Sequence, residues 1–333
     1  MSKEIIKIGD FTRFNSSSMS INWVITRTCN YTCSYCTVYD NTAPFTPFHQ
    51  LENAVKQIKS LDKEKYQIIF TGGEPTIYPK FNDLLELILL SIGQNIRINV
   101  VTNLSRANSF YKKFVDKFQN FNKNIYFVTS FHFEFANKNS FIQKIKFLIN
   151  SNYNVTVNLM ASPPHMSLVK ELMSELKNIN SKFLNINPIA IRSGNSLDSR
   201  YKKEDLAWLK ENFIQEKKPI EVTFSTKENK PIIKNYTASE MNTLRMTNFQ
   251  DMLCEAGINN FSIDVDGKVN KAVCFRRRDS DFNIYKDDNL KKHLPKTPIT
   301  CPFSRCNCND DIHIPKYKNT NSKHSLINIK NLL

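Results

Sequence analysis

Three cysteines stand within one short run, Cys29-Asn30-Tyr31-Thr32-Cys33-Ser34-Tyr35-Cys36, spaced C-x3-C-x2-C with an aromatic directly before the last. Their thiolates can all reach one compact metal centre. They come one short of the four that a closed zinc or iron–sulfur site takes. A missing ligand leaves an iron open, and an open iron is where a cofactor or substrate binds. The competing interpretation is a zinc knuckle or a chance cysteine cluster, since short patterns carry false positives. Five more cysteines, Cys254, Cys274, Cys301, Cys306 and Cys308, lie toward the other end of the chain. Alternating residues around Asp266-Gly267 signal a hairpin, because that pair suits a type I′ turn. With Cys254 before the hairpin and Cys274 on its return strand, both thiols come to one point. The run from Cys301 to Cys308 supplies the rest. A structural zinc site is the alternative there, because zinc also accepts four thiolates.

The elements that must position these groups follow from hydrophobic period. Strands are expected at Ile21–Thr26, Gln67–Thr71, Ile96–Thr102, Ile125–Phe131, Val155–Met160 and Phe183–Ile189. Helices are expected at Phe48–Leu61, Phe81–Ile92, Ser105–Phe118, Asn139–Ile149 and near Leu168–Leu176. Strands alternating with helices at this spacing indicate parallel strands joined by helical crossovers. A partial barrel and a doubly wound open sheet share that period, and both place ligands at the carboxyl ends of their strands. The cysteine loop follows the first strand. Thr71-Gly72-Gly73-Glu74-Pro75 follows the second, with glycines that let the backbone approach a ligand and a carboxylate and proline that fix the turn. Thr102-Asn103 ends the third strand, Ser130-Phe131-His132 ends the fourth, and Asn158 lies on the fifth. Each has a structural alternative: an ordinary turn, a helix cap for Asn103, a core histidine for His132. His165, after Pro163-Pro164, belongs with a rigid loop.

The cysteine spacing, with Gly72-Gly73-Glu74-Pro75 one strand later, resembles the signature of the radical S-adenosylmethionine (SAM) enzymes. That resemblance implies a partial (β/α)6 TIM-like barrel. It implies that Cys29, Cys33 and Cys36 hold a [4Fe-4S] cluster whose fourth iron is chelated by the amino and carboxylate groups of SAM. Gly72, Gly73, Glu74 and Pro75 would position the SAM amino group. Thr102, Asn103, Ser130 and Asn158 would meet its ribose or carboxylate, and Tyr35 would lie beside the adenine. His132 is the candidate to face the substrate as a catalytic group. The later cysteines resemble the SPASM and twitch extensions, which carry auxiliary [4Fe-4S] clusters on a small C-terminal cysteine-rich hairpin module. They are fewer than a full SPASM pattern has, the interval from Gly267 to Cys274 is longer, and the final C-x-C is atypical. One auxiliary cluster is therefore expected, with one of Cys301, Cys306 and Cys308 spare. Arg276, Arg277 and Arg278 follow Cys274 and are candidates to grip a phosphate or carboxylate of the substrate; the alternative is a solvated turn.

Length and composition bound the rest. A chain of 333 residues with 41% hydrophobic content buries one large core, or one core and a small module. The expected division is a lead-in over 1–20, a core domain over 21–214 and a cysteine-rich domain over 215–333, with the polar, lysine-rich stretch from Gln215 to Tyr236 as the boundary. The N-terminus is charged where a signal peptide needs an apolar run, and Leu84–Ile92 is too short to span a bilayer. A soluble, cytoplasmic protein with no membrane partner is expected. The net charge of +15 is dispersed, so it reads as a solvated basic surface rather than a nucleic-acid interface. The resemblance implies an oxidoreductase that cleaves SAM reductively and removes hydrogen from a small polar, sugar-like molecule or a peptide side chain. A flavodoxin- or ferredoxin-type partner would supply the electron. The short segment before the first strand leaves no room for a leader-binding domain, which favours a small molecule. The alternatives are a radical SAM enzyme that modifies RNA, and a non-catalytic zinc-binding interaction protein.

Overall fold

The computed structural model describes residues 4–11, 13–36, 40, 43–193, 196–212, 219–225, 230–275, 281–306 and 308–318. A short strand β1 (Ile5–Gly9) precedes the alternating part of the chain. That part runs β2 (Ser18–Thr26), α1 (Phe48–Lys59), β3 (Lys65–Gly72), α2 (Phe81–Ile92), β4 (Ile96–Thr102), α3 (Asn108–Phe118), β5 (Ile125–Phe131), α4 (Lys138–Asn150), β6 (Asn154–Ala161), α5 (Met166–Lys177) and β7 (Leu184–Ala190). Strands β2 to β7 pair in sequence order, each parallel to the next. This is the partial barrel that the period implied. It stays open, because β7 ends one edge of its sheet among the described residues.

Helix periodicity explains the outer layer. On α1, Leu51, Ala54, Val55 and Ile58 recur at three- and four-residue spacing and are fully buried. Each large apolar side chain so placed contributes roughly 1.5–3 kcal/mol. Gly93, with φ +85°, ends α2 and donates its N–H to the Leu89 carbonyl. The outward-facing strand residues Ile21, Trp23, Ile68, Phe70, Ile98, Val100 and Phe127 join this core. The alternate residues are different: Asn22, Thr71, Ser130, Asn158 and Asn187 are half-buried. In register, Ser130 lies opposite Asn158 and Asn158 opposite Asn187, and Thr71 donates its hydroxyl to Asn22 at 3.2 Å. Fully covered parallel strands read as continuous apolar runs. This polar alternate face marks a lumen.

After β7 come a two-stranded ribbon of β8 (Arg192–Ser193) and β9 (Ser196–Leu197), and helix α6 (Lys203–Asn212). The rest comprises β10 (Ile220–Phe224), β11 (Ile232–Tyr236), β12 (Leu253–Cys254), β13 (Asn260–Ile263), β14 (Val269–Asn270), β15 (Ile299–Thr300) and β16 (Lys316–Tyr317). A second sheet has the order β11-β10-β1-β16-β12-β15. Part of the expected lead-in is thus a strand of that sheet, paired with β10 and β16. The lysine-rich stretch read as a boundary contains β10 and β11.

The hairpin β13–β14 adds to the barrel sheet, β13 lying parallel to β2 with Phe261 opposite Ile21. Its turn differs from the expected type I′. Asp264 accepts the Gly267 N–H at 2.9 Å, and Gly267 alone takes positive φ there, +87°. The loop is therefore a three-residue turn followed by a left-handed glycine. The Arg27 guanidinium reaches both Asp264 carboxylate oxygens, at 3.0 and 3.1 Å, tying the turn to the end of β2. Trp23 donates its indole N–H to the Tyr285 hydroxyl at 3.1 Å, and Gln57 bonds the Ile284 and Asp287 carbonyls. No helix among the described residues is long and apolar enough to cross a membrane.

Candidate active site

The cysteine loop leaves the carboxyl end of β2, and three further strand ends hold it in place. Cys36 donates its N–H to the Cys33 carbonyl at 3.0 Å, closing a turn between two of the thiols. The Tyr31 N–H points at Cys29 Sγ from 3.4 Å, and the Asn103 amide from 3.9 Å. Both would stabilise a ligating thiolate. Burial pushes the Cys33 thiol up to about 11, and burial likewise raises Cys29. Such thiols stay protonated at neutral pH until a metal displaces the proton.

The turn after β3 lies against the same loop. Gly73 donates to the Thr26 carbonyl and Glu74 to the Thr28 carbonyl, both at 2.9 Å. A Cβ on Gly72 would sit 2.0 Å from the Thr26 carbonyl oxygen, and one on Gly73 2.1 Å from that of Thr28. The two glycines are thus required by backbone packing between strand ends. Gly73→Ala is expected to cost about 3 kcal/mol, read as a lowered denaturant midpoint, because backbone rather than a side chain must move.

The Glu74 side chain is engaged within the protein. Its carboxylate is 1% exposed. Oε1 accepts from the Thr76 N–H at 3.1 Å, the Thr76 hydroxyl at 2.6 Å and the Thr102 hydroxyl at 2.8 Å. Oε2 accepts from the Asn103 N–H at 2.7 Å. Glu74 therefore fastens the β3 turn to the end of β4. Thr102, 2% exposed, is spent on Glu74 and the Leu104 N–H rather than open to a ligand. Pro75 starts a 3-10 turn and is buried. Asn103 is no helix cap: α3 begins at Asn108, and the Asn103 side chain instead bridges the Ser105 N–H, Asn30 and Cys29.

The end of β5 grips the cysteine loop from the other side, through residues that sequence reasoning only partly named. The Tyr35 hydroxyl and His132 Nδ1 lie 2.8 Å apart, with the rings stacked at 6.0 Å. Glu134 takes the Ser34 N–H at 2.8 Å and the Ser34 hydroxyl at 2.5 Å, and Tyr31 stacks on Phe135 at 5.2 Å. Burial lowers His132 to about 4, so its ring is neutral at pH 7. His132 is engaged with Tyr35 through Nδ1. Glu134, Tyr31 and Phe135 carry no local signal, since their value comes from a loop a hundred residues away. His165 closes a 3-10 turn and stacks on Phe133 at 5.8 Å, as a rigid loop requires.

The fit to a cluster rests on the donor set. Cys29, Cys33 and Cys36 offer three thiols within one eight-residue run, a donor set that suits the irons of a cluster. Glu74, Glu134 and His132, the other candidate ligands nearby, are committed to protein partners.

The second cysteine group is assembled by the second sheet. Cys254 on β12 lies opposite Ile299 of β15 and opposite Lys316 of β16. Cys301, the residue after β15, donates its N–H to the Met252 carbonyl at 2.8 Å and accepts the Asp251 N–H at 2.9 Å. Cys306 donates to the Thr247 carbonyl at 2.8 Å. Cys274 follows the return strand, in a 3-10 turn rather than on the strand, and donates its N–H to Asp311 at 2.7 Å. Burial raises Cys254 and Cys274 and takes Cys306 up to about 12, and these thiols and Cys301 act on one another electrostatically. Cys308 is also raised, by burial first and then by the charges of Asp311 and Asp310. None of the eight cysteines is in a disulfide. Arg276, Arg277 and Arg278 lie outside the described residues.

Comparison with known proteins agrees with this geometry. Residues 23–153 match the family model of the radical SAM superfamily. A stretch of 114 residues is 31% identical to the S-adenosylmethionine-dependent nucleotide dehydratase RSAD2 of Danio rerio, covering 33% of this chain and 31% of that protein. A stretch of 99 residues is 27% identical to its counterpart in Siniperca chuatsi, covering 30% and 27%. The matches span less than a third of either relative's length. Among solved structures, Streptococcus suis SuiB bound to S-adenosylmethionine superposes with a TM-score of 0.54 at 16% identity, over 84% of this chain and 66% of that one. anSMEcpe with bound AdoMet gives 0.54 at 17%, over 84% and 80%. At such identities the likeness is one of fold. Residues 23–153 therefore form a radical SAM domain.

Proposed function

We propose that the protein reductively cleaves SAM and abstracts hydrogen from a small polar substrate held in the barrel lumen, with one auxiliary [4Fe-4S] cluster beside it. The observation that carries this reading is the cysteine loop itself: three thiols at the carboxyl end of β2, with every nearby carboxylate and imidazole already engaged. Cys29, Cys33 and Cys36 would hold the first cluster. Cluster and SAM together supply a 5′-deoxyadenosyl radical able to remove hydrogen from an unactivated C–H bond.

The chain's own part is positional. Asn103 and the Tyr31 N–H direct donors at Cys29. The Tyr35–His132 and Ser34–Glu134 contacts fix the loop against β5. Gly72 and Gly73 let the β3 turn close on the end of β2, where SAM would lie. Ser130 and Asn158 would meet the ribose or carboxylate of SAM, and Asn187, opposite Asn158, offers a hydrogen bond to a polar substrate across the lumen. The relatives named as nucleotide dehydratases support a small molecule over a peptide; the fold neighbours, at 16–17% identity, do not bear on substrate.

Anaerobic incubation of the reconstituted protein with SAM and dithionite tests the reading. 5′-Deoxyadenosine is expected, and its absence from iron-replete protein would overturn the reading.

The auxiliary cluster would be held by Cys254, Cys274, Cys301 and Cys306, with Cys308 the spare thiol. Cys308→Ala is then expected to retain the iron of wild type, while Cys306→Ala loses about four irons per chain, the content of one [4Fe-4S] cluster. Iron and sulfide assays on anaerobically purified protein decide between them.

A further inference from the structure

The second cysteine group shares its sheet face with a buried cation. Lys316 on β16 lies directly opposite Cys254 on β12, so the two side chains leave the sheet on the same side. Lys316 is 2% exposed. Its ammonium donates to the carbonyls of Asp311 at 2.6 Å, Ile314 at 2.8 Å and Ile312 at 3.4 Å. It also lies 5.2 Å from the centre of the Phe249 ring. Phe249, Ile312 and Ile314 belong to the same buried cluster as Cys254, Cys301 and Cys306.

Three carbonyls satisfy the three N–H donors of an ammonium, but they leave its charge unanswered. Taking a full charge out of water is costly unless an opposite charge stands close. Capping the short helix Asn309–Ile312 does not by itself call for a cation, since neutral donors or water can satisfy helix-end carbonyls. Among the described residues no carboxylate forms an ion pair with Lys316. The nearby Asp311 carboxylate instead takes the Val273 and Cys274 N–H groups. The thiols are the remaining source of negative charge. Burial pushes Cys254 and Cys306 up, and Lys316 opposes that on both, more strongly than Asp311 reinforces it.

We propose that Lys316 keeps a permanent positive charge beside the auxiliary cluster and raises its reduction potential. This rests on the reading that Cys254, Cys274, Cys301 and Cys306 hold a [4Fe-4S] cluster. Four thiolates leave such a cluster with a net negative charge, and an added electron makes it more negative. A fixed cation close by therefore favours the reduced form. Burial gives the lysine its effect, because a charge shielded from solvent is screened far less than one on the surface.

The test is a potentiometric titration of anaerobically reconstituted full-length protein, read by electron paramagnetic resonance. The same titration in a Cys33→Ala background assigns the auxiliary signal. Lys316→Gln keeps an amide donor for the carbonyls and removes the charge. It is expected to disfavour reduction of the auxiliary cluster at least tenfold, a fall of about 59 mV for a one-electron couple. Lys316→Arg, which keeps the charge, is expected to change the equilibrium less than threefold. Lys234→Gln removes a charge from an exposed position on β11 of the same sheet and is expected to change it less than twofold. A purely structural lysine would lower the unfolding midpoint of Lys316→Gln and leave the potential where it was. If Lys316→Gln loads no auxiliary cluster, Lys316→Met supplies the neutral comparison, and failure of both to load would overturn the proposal. So would a potential unmoved by the neutral variant, or moved as far by Lys316→Arg; either result leaves the auxiliary cluster itself standing. Wild-type protein with iron and sulfide for one cluster only would sink the auxiliary-cluster reading, and the role of Lys316 with it.

Discussion

Cys33→Ala is expected to lower 5′-deoxyadenosine formation below detection and to remove about four irons per chain, while the iron bound by the second cysteine group remains. Cys33 is 4% exposed and sits at the centre of the loop, its carbonyl closing the turn to Cys36. No other side chain is placed to substitute for it, because Glu134 and His132 are held by Ser34 and Tyr35. The loop itself should survive the change: the thiol also bonds the Tyr35 side chain, but the Ser34–Glu134 contacts and the Tyr31–Phe135 stack do not involve it. Iron analysis and electron paramagnetic resonance of the dithionite-reduced protein give the readout. Retention of the full iron content would mean that the loop does not hold a cluster.

Glu74→Gln is expected to destabilise the protein by about 3 kcal/mol, since it sets a buried amide donor against donors. The four groups that converge on the carboxylate include two backbone N–H groups, those of Thr76 and Asn103, which cannot reorient. Whichever way the amide is turned, its NH2 faces one of them. Thr76 and Thr102 can rotate their hydroxyls to accept, which limits the cost but does not remove it. The damage should spread to the site, because Asn103 carries the amide directed at Cys29. A denaturant midpoint shift checks the first effect, and weaker SAM binding at equal iron content checks the second. A midpoint unchanged from wild type would show that the carboxylate network is not what ties β3 to β4.

The same residue shows the reach and limit of sequence reading. The glycines and the carboxylate after β3 were visible as a motif at a strand end. Whether the carboxylate faces a ligand or the protein depends on where the end of β4 lies, which no local pattern encodes. His132 is a similar case, since its alternative roles differ only in whether Tyr35 reaches it. For the second cysteine group, spacing left the choice among Cys301, Cys306 and Cys308 open; only the β12–β15 pairing sets Cys254 beside the strand that leads into Cys301.

What the sequence determined by itself was the alternation of β2 to β7 with their helices, matched to within a few residues, and the thiol spacing of the first loop. Both are local: a period of 2 or 3.6 decides which face is buried, and eight residues of chain hold three thiols together whatever surrounds them. Only the tertiary structure decided that β1 joins the second sheet, that β13 runs parallel along β2, that Glu134 clasps the cysteine loop, and that the Arg97 guanidinium lies over the Tyr126 ring. Those facts depend on complementarity between segments as much as 310 residues apart, as with Lys7 of β1 against Tyr317 of β16. Such pairings are selected by the packing of the whole chain rather than by any single stretch of it.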